Sequence, residues 1–228
     1  MTQSAQTVTS LNRARSADTA RSAVRRELVG WAWLAVGALA VAGVFALLLA
    51  LSRIPGMEKT PFWPIDFFYK GLVIHVVFSL VIWLQGVFAF LVSVATLKLA
   101  GDDVRAAPLG WIGQGAVLLA FPCLFAPAFL EATQPALTNY IPIIRHPAYD
   151  IGLIVLALGA LAPVVRLLVN LPGRLASAPP FAVAMALGGF VYVLAMICFA
   201  VATTLLAHAG ELASREELFW GEIGRAHV

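Results

Sequence analysis

One histidine lies inside a long apolar run, Lys70-Gly71-Leu72-Val73-Ile74-His75-Val76-Val77-Phe78-Ser79-Leu80-Val81-Ile82-Trp83-Leu84-Gln85-Gly86. An ionisable side chain at membrane depth is costly and as a rule faces the protein interior or a cofactor. Neutral imidazole is a good axial ligand for haem iron. At helical spacing Ser79 (i+4), Trp83 (i+8) and Gly86 (i+11) share a face with His75. That face has small and aromatic members, and a flat macrocycle could lie on it. A histidine hydrogen-bonded to a neighbouring helix fits the same pattern, and spacing alone leaves both readings open.

The other candidates have simpler readings. His146 sits between Arg145 and Pro147 in a polar stretch and reads as a solvated or interfacial loop residue. Near a haem, either His146 or Arg145 could contact a propionate. His208 and Glu131 end apolar runs; the first reads as an interface residue and the second as a helix-end acid, with a proton path as its other use. Trp31, Trp33, Trp63, Trp111 and Tyr69 fall near expected interfaces, where aromatic anchoring accounts for them. Cys123 and Cys198 lie inside apolar runs and are expected as buried thiols. P-loop, Rossmann, HExxH and paired-cysteine motifs are absent, so neither ATP hydrolysis nor soluble metal catalysis is indicated.

The elements that position these residues follow from composition. The chain has 228 residues, 61% of them hydrophobic and 12% charged, and its mean hydropathy is +0.90. Such values exclude a soluble globular domain, a disordered chain and a disulfide scaffold. Continuous apolar runs, rather than short alternating segments, exclude a β-barrel. The expected fold is all-α, a polytopic transmembrane bundle. Five complete spans are expected over about residues 28–51, 68–97, 109–130, 149–169 and 180–206, with the start of a sixth at Glu217-Leu218-Phe219-Trp220. Each is long enough to cross about 30 Å of hydrocarbon as a helix. Residues 1–26 are polar and Arg-rich, and are expected to form a flexible cytoplasmic tail.

The net charge of +3 does not indicate nucleic acid. Five basic residues crowd the tail (Arg13, Arg15, Arg21, Arg25 and Arg26) and most others sit at segment ends, which is a topology signal. With the tail inside, nine Lys and Arg residues, including Arg166 and Arg174, fall on the cytoplasmic side and five on the other. This predicts a multi-pass protein of a bacterial-type inner membrane with a cytoplasmic N-terminus, and places His75 near the outer face.

At three places the chain resembles subunit I of the haem–copper oxidase superfamily, which includes cytochrome oxidases and nitric oxide reductases. Phe67 to Ser79 with Trp83 resembles the second helix, whose His is an axial ligand of the low-spin haem. Asn139-Tyr140-Ile141-Pro142-Ile143-Ile144-Arg145-His146-Pro147 resembles the outer loop before the fourth helix in a divergent branch. Glu217-Leu218-Phe219-Trp220-Gly221 resembles the start of the sixth helix. The resemblance spans about residues 28–221 and implies a partial subunit I-like membrane domain over 27–221. It implies that His75 is the low-spin haem ligand, with Arg145 a candidate propionate contact. It implies electron transfer through that haem to a haem–copper centre reducing oxygen, or nitric oxide. Other oxidase subunits and an electron donor such as a c-type cytochrome would be the partners.

The chain departs from that family at its end. The resemblance places a copper-ligating His near position 224, where this sequence has Gly224, and His227 is out of register. Ile223-Gly224-Arg225-Ala226-His227-Val228 is the translation of ATC GGA AGA GCA CAC GTC, the bases of a common sequencing adapter. Residues 222–228 are therefore expected to be a sequencing artefact, and the fragment alone inactive. The competing reading, from another class, is a membrane transporter or scaffold protein without a redox cofactor.

Overall fold

The computed structural model describes residues 2–59, 67–101, 103–130, 133–136 and 143–208, with side chains described within residues 25–201. The expected sixth-helix start and residues 222–228 lie outside the described residues, as do Trp63 and Glu131. Helix α1 covers Thr2–Ser52, α2 Phe67–Val76, α3 Trp83–Ala100, α4 Pro108–Phe125, α5 Pro147–Asn170 and α6 Pro180–His208. A π-helical segment, Val77–Ile82, joins α2 to α3 without a break. Five stretches are long and apolar enough to cross a membrane: Arg25–Ser52, Phe68–Ala100, Pro108–Phe129, Pro147–Asn170 and Pro180–Cys198. The polytopic helical fold and its five spans are thus as composition predicts.

The first 26 residues differ from expectation. Helix α1 begins at Thr2 rather than after a flexible tail. No Gly or Pro occurs before Gly30, so nothing in the chain stops a helix, once nucleated in the apolar segment, from propagating backwards. Elsewhere the punctuation is as sequence chemistry dictates. Proline opens α4, α5 and α6, where its missing N–H costs nothing. Gly101, at φ 58°, ends α3.

The tail end of the bundle gathers the span start of α1, the end of α3, the start of α4, the end of α5 and the start of α6. A reciprocal clasp ties it together. Asn170 Nδ2 donates to Arg105 O and Arg105 N donates to Asn170 Oδ1, both at 2.9 Å, and Arg174 pairs with Asp103 at 2.7 Å. At the opposite end the stretch expected as loop contains a hairpin, β1 (Gln134–Ala136) and β2 (Ile143–Arg145), antiparallel with Pro135 opposite Ile144. Ile144 points inward and is buried while Arg145 is exposed, the alternation of a strand with one covered face.

Packing relies on small residues, as it must where lipid is as apolar as leucine. Helices α4 and α5 cross at Gly113 and Gly159. A Cβ on Gly113 would lie 2.6 Å from Gly159 O, and one on Gly159 would lie 2.8 Å from Val117 Cγ2. An aromatic cluster fills the space between α1, α2, the π segment and α4, with Phe78–Phe121 and Phe45–Phe125 in edge contact at 5.3 and 5.6 Å. A second cluster joins α3, α5 and α6 around Val92, Val164 and Ala182. The outward surface is apolar, with Trp33 70% and Leu187 65% exposed, as a lipid-facing surface should be. Cys198 is on it and Cys123 is only half-buried. The expectation of buried thiols fails here because an apolar run in a membrane turns much of its surface to lipid rather than to protein.

Candidate functional site

His75 lies eight residues into α2, about 12 Å along the helix from its start at the hairpin end. Its ring is half-buried, and Nδ1 lies 2.9 Å from the backbone oxygen of Ala42 on α1. A carbonyl can only accept, so Nδ1 carries the proton and the neutral ring keeps its lone pair on Nε2. Of the two readings left open by the sequence, the bond to a neighbouring helix is the one observed. That bond puts the proton on Nδ1, a tautomer compatible with ligation through Nε2.

The π segment begins two residues after His75. Its hydrogen bonds skip five residues rather than four; Trp83 N–H, for example, donates to Phe78 O. The helix is underwound there. In a pure α-helix, residues four apart drift by about 40° per step. Here Ile74, Phe78, Ile82 and Gly86 are all buried, a single row at spacing four. His75, Ser79 and Trp83 form the adjacent row and are all half-buried. The expected face of His75, Ser79 and Trp83 is present, but Gly86 is not part of it. Gly86 belongs to the buried row, where a Cβ would stand 3.3 Å from Ala35 of α1. Its work is helix packing, and the i+11 estimate missed this because it assumed an unbroken α period.

Arg145 is exposed at the end of β2, the strand that packs on α2 and α5. It is on the same end of the bundle as His75. His146 is the N-cap of α5, its Nδ1 accepting from Ala148 N at 3.2 Å, so a capping role replaces that of a solvated loop residue. His208 is the last residue of α6, and its side chain is outside those described. Among the described residues no three His, Cys, Asp or Glu side chains converge as a metal site. The donor described at this end is one imidazole, His75, whose Nε2 would fit a single axial bond to haem iron. A shallow apolar hollow lined by Val41, Phe78, Phe121, Pro122 and Phe125 holds no titratable group.

Sequence reasoning missed a second polar site. Glu27 of α1 and Arg166 of α5 form a buried two-point ion pair at the tail end, Nη1 to Oε2 at 2.6 Å and Nη2 to Oε1 at 2.5 Å. Arg166 Nη2 also donates to Ser93 of α3 at 3.0 Å, and Gln114 of α4 donates to the backbone oxygen of Glu27. Arg166 is thus not a loop charge, as the basic-residue count has it, but a buried member of four-helix packing. The available signal was its place inside an apolar run, where an arginine needs a partner. Trp31, expected as an interface anchor, is fully buried one turn from Glu27. Trp33, Trp111 and Tyr69 are exposed, in keeping with that role. Lys70, counted among the outer charges, is buried and donates to Leu130 O at 2.6 Å.

A family model described as cytochrome c and quinol oxidase polypeptide I matches residues 28–221. An uncharacterized protein of Aquifex aeolicus (strain VF5) is 30% identical over 138 residues, 60% of this chain and 33% of that protein. The matched stretch thus spans about one third of that relative's length. No solved structure matches the chain.

Proposed function

The chain belongs to the family of cytochrome c and quinol oxidase polypeptide I, and we propose that it is the N-terminal part of a respiratory oxidase subunit in which His75 binds the low-spin haem. The observation that carries this reading is the His75 Nδ1 to Ala42 O bond, 2.9 Å long, with Nε2 left as the ligating nitrogen. Haem held there supplies one-electron transfer. The chain's own contribution is orientation. The Ala42 carbonyl fixes the tautomer and the orientation of the ring. Ser79 and Trp83, in the same row, form the flank beside it. Arg145, on the same end, is the candidate partner for a propionate carboxylate.

In this reading the subunit would serve electron transfer from a donor such as a c-type cytochrome to a haem–copper centre, for reduction of oxygen, or of nitric oxide in the reductase branch. Other subunits complete the assembly. No residue of this chain is assigned to copper, since the position implied for that ligand holds Gly224. The protein resides in a bacterial-type inner membrane with its N-terminus in the cytoplasm. That orientation does not depend on Arg166 or Lys70: without these two buried residues the basic excess still falls on the tail side.

The test is spectroscopic, on the full-length subunit in membranes. His75→Ala is expected to abolish the low-spin band of the reduced-minus-oxidised spectrum, since one axial ligand is lost. His146→Ala, which removes a helix cap worth about 1 kcal/mol, is expected to keep that band. A normal six-coordinate spectrum in the His75 variant would refute the assignment.

A further inference from the structure

Two buried donors near the Glu27–Arg166 pair have no acceptor among the described residues: Trp31 Nε1 and Arg166 Nε. Trp31 is 0% and Arg166 3% exposed. Native proteins rarely leave such groups unsatisfied, and a buried water is the usual partner.

The surrounding contacts place both side chains along one seam between α1, α4 and α5. Glu27 and Trp31 are one turn apart on α1, Gly110 and Gly113 one turn apart on α4, and Pro163 and Arg166 one turn apart on α5. A Cβ on Gly110 would collide with the Glu27 carboxylate and with Arg166 Nη1. A Cβ on Gly113 would meet Trp31 Cζ2 and Pro163 Cδ at 3.2 Å each and Gly159 O at 2.6 Å. Cζ2 is the ring atom next to the carbon that bears Nε1, so the N–H edge of the indole is on this seam. The Gly159 carbonyl is there as well. Its helical partner would be the amide of residue 163, which is proline and has none.

We propose that this seam binds an ordered water, which accepts from Trp31 Nε1 and Arg166 Nε and donates to the Gly159 carbonyl. Water fits better than an anion because the charge of Arg166 is already matched by Glu27. The glycines let the backbones of α4 and α5 come close at this seam, which brings the Gly159 carbonyl to it. The site is distinct from His75. Trp31 is separated from Ala42 by about 16 Å of helix, and the proposal stands or falls independently of the haem assignment.

The experiment uses the full chain in lipid nanodiscs with ¹⁵N-labelled tryptophan indoles. Trp31→Phe identifies the Trp31 signal among the six tryptophans; if that variant does not fold, substituting the other five in turn identifies it by elimination. The expected result is a hydrogen-bonded Trp31 N–H shift, magnetisation transfer from water to that N–H, and no change when chloride is replaced by gluconate. A shift typical of a free indole, or the absence of transfer from water, would overturn the proposal. A chloride-dependent shift would also overturn it, in favour of an anion site.

Discussion

Replacing Arg166 by Met should be among the most damaging single changes in the bundle, and the structure sets its size. The substitution removes two charge-assisted bonds to Glu27 and one bond to Ser93, and leaves the Glu27 carboxylate buried without its counter-charge. Breaking a buried pair from one side costs about 3–5 kcal/mol. Glu27→Gln leaves Arg166 buried in the same way, with one amide oxygen still able to accept. The double variant removes both charges and leaves only a buried neutral amide at position 27, which costs far less than a buried unpaired charge. The two effects should therefore be far from additive, with a coupling of about 3 kcal/mol, the upper end for contacting residues. That is roughly a 150-fold effect on the unfolding equilibrium. The assay is reversible denaturation in bicelles of the parent, both single variants and the double. If the single effects sum to the double within about 0.5 kcal/mol, the pair is not an energetic unit and the packing account of Arg166 is wrong. Gly110→Ala supplies a further check, because its new methyl would enter the space of the pair and should destabilise the parent more than the double variant.

Other consequences can be measured separately. Gly159→Ala places a methyl 2.8 Å from Val117 Cγ2 and 3.0 Å from the backbone of α4, so α4 and α5 must part; a loss of about 1–3 kcal/mol is expected in the same denaturation assay. Asn170→Ala removes both halves of the clasp on Arg105, and trypsin should cut at the exposed Arg105 several-fold faster in the variant, while cutting at Arg53 is unchanged. Reporter fusions at Lys59 and Asp103 should read outside and inside respectively; a cytoplasmic signal at Lys59 would reverse the proposed orientation.

The spans were legible because length and apolarity leave a chain in lipid few options, and Pro108, Pro147, Pro180 and Gly101 mark ends by backbone chemistry alone. What lies between helices was less legible. Arg166 sits near the end of α5, so a count of charges cannot tell it from an interfacial residue, and its partner is 139 positions away. Trp31 and Trp33 are two residues apart in the same apolar segment, yet one is fully buried and the other 70% exposed. Composition at an interface does not tell which side of a helix meets protein. The hairpin strands are three residues long and flanked by turn-forming residues, too short for an alternation to register against the loop around them.

His75 shows how a candidate residue can stand in a neighbourhood partly different from the one its sequence spacing implies. Counting along an ideal helix places Gly86 beside His75 and lets Ser79 and Trp83 drift away from it. The π segment reverses both results: spacing four is restored for His75, Ser79 and Trp83, and Gly86 is carried into the row with Ile74, Phe78 and Ile82. That change of phase lets two demands be met on one helix. The buried row must keep α3 close to α1, which it does where Gly86 meets Ala35. The row beside it must keep His75 against the Ala42 carbonyl. Along an unbroken α-helix of this length, the two rows would have wound around the axis by about a third of a turn, and the contact at Gly86 would have been made only by turning the lower half of the helix away from α1. The underwound segment directly after His75 therefore ties the packing of one helix pair to the orientation of the candidate ligand.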